Sequence, residues 1–162
     1  MRLSPAMRRR MRRWLRQALV AGSVASITSS AVIVAASHRH RGAPASGTNA
    51  TSHWLWGAKA QRRDRPSWRY TAVGYAIHHA SSVFWAAIYE AVLARRATAS
   101  PRYRSLLAAG VGLLAWFVDY RVVPRRLTPG FERHFPRKSM LATYVAFSGG
   151  LALAAILLRR RR

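Results

Sequence analysis

The Lys and Arg residues of this chain are confined to five blocks, at 2–16, 39–69, 95–104, 121–138 and 159–162, and the four stretches between them contain neither. A central Lys or Arg costs roughly 2.5–3.5 kcal/mol on membrane-insertion scales. A chain that carries a formal charge of +24 and still keeps four apolar stretches free of basic residues is therefore built to place those stretches in a bilayer. A nucleic-acid binder also carries a basic excess, but it has no use for four apolar stretches of membrane length. Arg at membrane edges has a simpler role, contact with anionic lipid headgroups.

The expected fold is all-α: a polytopic membrane protein with four transmembrane helices at about 15–36, 70–94, 105–123 and 140–158, all within one integral domain of 162 residues. At about 1.5 Å per residue each span approaches the thickness of a hydrocarbon core of about 30 Å. A basic arm, 1–14, precedes the first span, and a basic tail, 159–162, follows the last. The N-terminal stretch resembles a secretory signal, but the apolar run is longer than such a signal needs and three more spans follow, so it is read as a retained first helix.

The first span has Gly22, Ser26 and Ser30 at four-residue spacing, a small-residue face that lets helices approach closely in lipid. Residues 37–51 are rich in Gly, Pro, Ser and Thr and are expected to be irregular. Within them Asn49-Ala50-Thr51 fits a glycosylation sequon, a match short enough to arise by chance. His53, Trp54 and Trp56 in 52–57 suggest a segment lying in the membrane interface. Gly110 and Gly112 are expected to allow close approach in the third span, and Pro129-Gly130 is expected to form a type II turn. With the N-terminus inside, the inner segments carry 15 basic residues and the outer ones 13. The dense N-terminal block favours cytoplasmic N- and C-termini.

The second span carries the groups that need explaining: His78, His79, Ser82 and Glu90, with Asp119 in the third span and Tyr144 in the fourth. An ionisable group in a membrane is costly unless paired. By depth, Asp119 is expected to pair with His78 or His79, with Tyr144 close by. His78, Ser82, Trp85 and Tyr89 form one helical stripe and His79, Ala86 and Glu90 the next. Both are expected to face the bundle and to leave Val83 toward lipid. Glu90 lies near the opposite depth, about 16 Å along the axis from His79.

Imidazole ligates zinc, copper, nickel and iron, which makes His53, His78, His79 and Asp119 the metal candidates. Adjacent histidines diverge by about 100° on a helix, so His78 and His79 do not share an ion readily. No zinc-protease motif or phosphate loop is present, and no nucleophile elbow or cofactor fingerprint. The expectation is a non-enzyme with no resident cofactor. A metal or haem is the alternative, within a second reading as a small proton or metal-ion carrier or sensor. The expected partners are anionic lipid and another membrane protein or a second copy of the chain, not nucleic acid. There is no cysteine, so disulfides and thiolate metal sites are excluded.

His79, Ser82, Phe84, Ala86, Tyr89 and Glu90, followed by a glycine-bearing third span and Leu127-Thr128-Pro129, are similar to the YagU-type bacterial inner-membrane proteins. The resemblance covers spans two and three and departs at 52–57 and at the Arg-rich termini. It implies a four-helix inner-membrane protein of undefined molecular function and supplies no catalytic residues. The first functional expectation is separate from it: a non-enzymatic structural, stress-related or accessory component whose polar intramembrane residues hold the bundle together.

Overall fold

The computed structural model describes residues 4–96 and 98–160, which form helices and connections with no strand. Helix α1, Pro5–Arg41, begins at Ser4, whose Oγ accepts from the Met7 N–H at 3.3 Å, with Pro5 at the first helical position. Both choices satisfy the open N-terminal turn. The helix ends at Gly42, whose φ of 65° lets its N–H reach the His38 carbonyl at 2.8 Å. The expected basic arm is thus not separate from the first span: the two form one continuous helix of 37 residues, about 55 Å long, which exceeds a bilayer core.

The connection after α1 departs from the expected irregular loop. It holds α2 (Ser46–Thr51), α3 (His53–Trp56) and α4 (Ala58–Gln61). Asn49 fixes this region: its Nδ2 donates to the Arg63 carbonyl at 2.8 Å and the Arg65 carbonyl at 3.1 Å, while its Oδ1 accepts from Thr71 Oγ1 at 2.6 Å. With its side chain fully buried and bonded, Asn49 is not a glycosylation acceptor. Gly47 lies against Phe135, Ser37 and Ile33, with no room for a Cβ. Composition suggested a loop because Gly, Ser and Asn favour turns. Here their small size lets the segment pack on the end of α1.

A π-helical turn, Trp68–Ala72, capped by Ser67, leads into α5, Val73–Leu93. Helix α6, Pro101–Phe117, starts from a Ser100 cap and continues as a second π-helical turn, Val118–Val122. Two short 3-10 turns, Arg125–Leu127 and Phe131–Arg133, flank Gly130 at φ 91° and lead to α7, Arg137–Arg160.

The long helices form an up-down-up-down bundle in the spatial order α5, α1, α7, α6. Trp14 Nε1 donates to the Ala87 carbonyl at 3.1 Å, Gly22 abuts Val83, and Ser29 meets His78. Rising numbers on α1 oppose falling numbers on α5, so the pair is antiparallel. In the same way Gly150 abuts Ala25 and Thr28 Oγ1 donates to the Ala146 carbonyl at 2.9 Å, which sets α7 antiparallel to α1. Gly112 faces Ser148 and Arg104 Nη1 donates to the Ala155 carbonyl, which sets α6 antiparallel to α7. The buried face of α1 is Ala18, Ala21, Gly22, Ala25, Ser26 and Ser29, small residues at helical spacing that bring backbones together. Gly110 has nothing near it, so of the two expected glycines only Gly112 serves a contact.

Three of these helical stretches are long and apolar enough to cross a membrane: Pro5–Arg41, Pro101–Val122 and Arg137–Leu158. They cover the first, third and fourth expected spans. Helix α5 is long enough at 21 residues, but His78, His79 and Glu90 lower its apolarity and it is not among the three. Its outward stripe also differs from expectation. Val83 faces α1, and the exposed positions are Tyr75, Ala76, Ala80, Phe84 and Ala91.

Candidate functional site: a cavity between α5, α6 and α7

Helices α5 and α6 meet near their connection, where Tyr89 Oη donates to the Arg104 carbonyl at 3.2 Å. Away from the connection they enclose, with α1 and α7, a cavity of about 400 Å³. Its walls are largely apolar. Polar groups enter at a few points: Ser29 from α1, Thr51 from α2, His78, Ser81 and Ser82 from α5, Asp119 from the π-helical turn, and Thr143 and Tyr144 from α7. A π-helical turn re-aims side chains relative to an α-helix and often marks a functional position. Trp54 from α3 and Phe131 cover one end. Three of the lining residues are exposed, Ala80 and Phe84 on the outer stripe of α5 and Leu127 in the turn before Pro129.

Asp119 and Tyr144 are joined directly, Tyr144 Oη donating to Asp119 Oδ2 at 2.7 Å. The expected partner of Asp119 was a histidine. A phenol competes better here because it gives a buried carboxyl a hydrogen bond without bringing a second ionisable charge that must be desolvated. Tyr120 stands edge-on to the Tyr144 ring at 6.2 Å and holds it in place. Among the described residues Asp119 makes no ion pair, whereas Arg41 and Asp64 pair at 3.0 Å on the surface.

His78 uses a different partner. Its Nε2 lies 2.9 Å from Ser29 Oγ, while that Oγ lies 2.7 Å from the Ala25 carbonyl. A serine has one hydroxyl hydrogen. The hydroxyl donates to Ala25, and its oxygen accepts from a protonated His78 Nε2. Ser82 Oγ donates to the His78 carbonyl at 2.8 Å, a bond within α5 that spends its hydroxyl.

The other expected site residues lie elsewhere. His79 points away from the cavity, 5.8 Å from the Tyr75 ring, with its buried Nδ1 lacking a hydrogen bond among the described residues. Glu90 is buried near the α5–α6 connection and does not line the cavity. His53 is buried beneath Gly130 with Nδ1 donating to the Ala50 carbonyl at 2.9 Å. Trp54 is not free at an interface: its Nε1 donates to the Thr128 carbonyl at 2.9 Å and ties α3 over the cavity. Trp56 donates to the Arg69 carbonyl at 3.0 Å, and the Arg69 guanidinium lies 4.4 Å above its ring. Of the metal candidates His53, His78, His79 and Asp119, only His78 and Asp119 line the cavity, and among the described residues no three His, Cys, Asp or Glu side chains gather to hold an ion.

Sequence reasoning missed Ser29, which orients His78, and the aromatic walls of the cavity, Phe131 and Phe147. Ser29 belongs to the small, hydroxyl-rich face of α1 and was detectable there. The walls were not, because they come together only through the crossing of α7 with the 3-10 turns. Compared with protein-family models, curated proteins and solved structures, the chain matches none of them.

Proposed function

We propose that the chain, in line with its YagU-type resemblance, is a four-span protein of the bacterial inner membrane; we place both termini in the cytoplasm and read it as a non-enzymatic structural, stress-related or accessory component. The observation that carries this reading is the way α5 hides its polar groups. His78, Ser82 and Glu90 are turned inward, and the stripe from Tyr75 through Ala80 and Phe84 to Ala91 is left for lipid. A helix with this division crosses a bilayer when its neighbours satisfy the inward groups. His78–Ser29 and Asp119–Tyr144 then hold the bundle together, and the Arg blocks at the helix ends engage anionic headgroups.

Single cysteines in this cysteine-free chain test the reading. Lys59→Cys and Lys138→Cys are expected to be labelled only from outside the cell by an impermeant maleimide, and Met7→Cys and Arg102→Cys only from the cytoplasm. Labelling of Lys59→Cys and Arg102→Cys from the same side would show that α5 does not cross. A second reading, a small proton or metal-ion carrier or sensor, draws on one observation, that His78 and Asp119 both line the same cavity. It predicts that Asp119→Asn abolishes flux while sparing the fold.

A further inference from the structure

We infer that the cavity is a binding site for a lipophilic, monovalent organic cation. Six aromatic side chains, Trp54, Phe84, Trp85, Phe131, Tyr144 and Phe147, line it. Such walls attract cationic groups through the negative faces of their rings. Asp119 is the one acid in the lining, and among the described residues no Lys or Arg lines it. The Tyr144 hydroxyl occupies Asp119 Oδ2, and among the described residues no hydrogen bond reaches Oδ1. That oxygen therefore remains for an incoming charge.

The size and openness fit the same class. About 400 Å³ lies within the range of small-molecule sites and far exceeds what a bare metal ion needs, and among the described residues the histidines and acids do not gather into a metal shell. Three lining residues are exposed: Ala80 and Phe84, midway along α5 on its apolar stripe, and Leu127, which follows Arg125 and Arg126. A cation carrying an apolar body would enter from the apolar side, where its charge is poorly solvated, and gain both the carboxylate and the rings. A neutral apolar molecule gains only the walls, and an anion meets Asp119 as a repulsion.

This inference rests on the proposed bundle but is measured independently of its orientation. Equilibrium dialysis of tetraphenylphosphonium against the detergent-purified full chain, with a detergent-only blank, is expected to show saturable binding of one equivalent. Asp119→Asn is expected to weaken it at least tenfold at unchanged helical circular dichroism. Ala80→Trp, which adds bulk at the exposed mouth and removes no hydrogen bond, is expected to weaken it similarly and serves if Asp119→Asn does not fold. No saturable binding by the wild type would overturn the inference, as would equal binding by wild type and a folded Asp119→Asn or Ala80→Trp. Failure of the four-span reading would instead appear in the cysteine labelling, which this measurement does not use.

Discussion

The α1–α5 seam makes a sharp prediction at Gly22. A Cβ placed there would lie 2.6 Å from Val83 Cα, 2.9 Å from Val83 N and 2.8 Å from Val83 Cγ2. Ordinary contact begins near 3.4 Å, so the two helices would have to separate by about 0.8 Å, and the first two obstacles are backbone atoms that cannot rotate away. Gly22→Ala gains about 1 kcal/mol of helix propensity. Against that stand an overpacking cost of about 1–3 kcal/mol and the stretching of the neighbouring Ser29–His78 bond, worth about 1 kcal/mol. The net expectation is a loss of about 1–3 kcal/mol, a fall of roughly five- to 150-fold in the folded-to-unfolded ratio. Gly110→Ala is the matched control, since nothing lies within 4 Å of a Cβ there. It is expected to raise stability by up to about 1 kcal/mol. The assay is reversible unfolding in mixed detergent–dodecyl sulfate micelles, followed by tryptophan fluorescence and circular dichroism. A Gly22→Ala protein as stable as Gly110→Ala would refute the close seam.

Other substitutions probe the polar contacts. Tyr144→Phe removes the only hydrogen bond that Asp119 receives among the described residues and should cost about 1–3 kcal/mol. In double-mutant cycles Asp119 and Tyr144 should couple, whereas Asp119 and His79 should be additive, and the reverse pattern would restore the histidine pairing. Asp64→Asn breaks the Arg41 pair, whose side chains are 35% and 47% exposed, and is expected to change the same unfolding midpoint by less than about 1 kcal/mol. His134 donates through Nε2 to the Gln61 carbonyl at 3.1 Å. Burial, then the nearby Arg41 charge, lowers its pKa against the opposing effects of that carbonyl, Asp64 and Glu132. Below about pH 6.5 the unfolded chain takes up a proton that the folded one resists. Stability should thus fall with pH across this range more steeply in the wild type than in His134→Gln, and equal slopes would show that His134 titrates as if exposed.

Several features were legible in the residues because they follow from local periodicity. The blocks of Arg and the apolar stretches between them determine where the long helices lie, and three such stretches meet the requirements for crossing a membrane. Ser4, Ser67 and Ser100 as caps, Pro5 and Pro101 as first-turn residues, and Gly42 and Gly130 at positive φ likewise follow from the conformational preferences of those residues.

Only the tertiary structure decided who meets whom. Sequence depth put Asp119 and Tyr144 at one level but could not distinguish Tyr144 from His78 or His79 as the partner, because that choice depends on rotation of α6 at its π-helical turn and on the neighbours each helix takes. The order α5, α1, α7, α6 comes from the glycines at 22, 112 and 150, whose missing side chains admit an opposing helix. Composition alone could not separate them from Gly110 and Gly149, which admit nothing. The cavity has the same origin. It exists because α5 and α6 are anchored near one end and pack mainly on α1 and α7 beyond it, a matter of shape between distant segments that local periodicity does not encode.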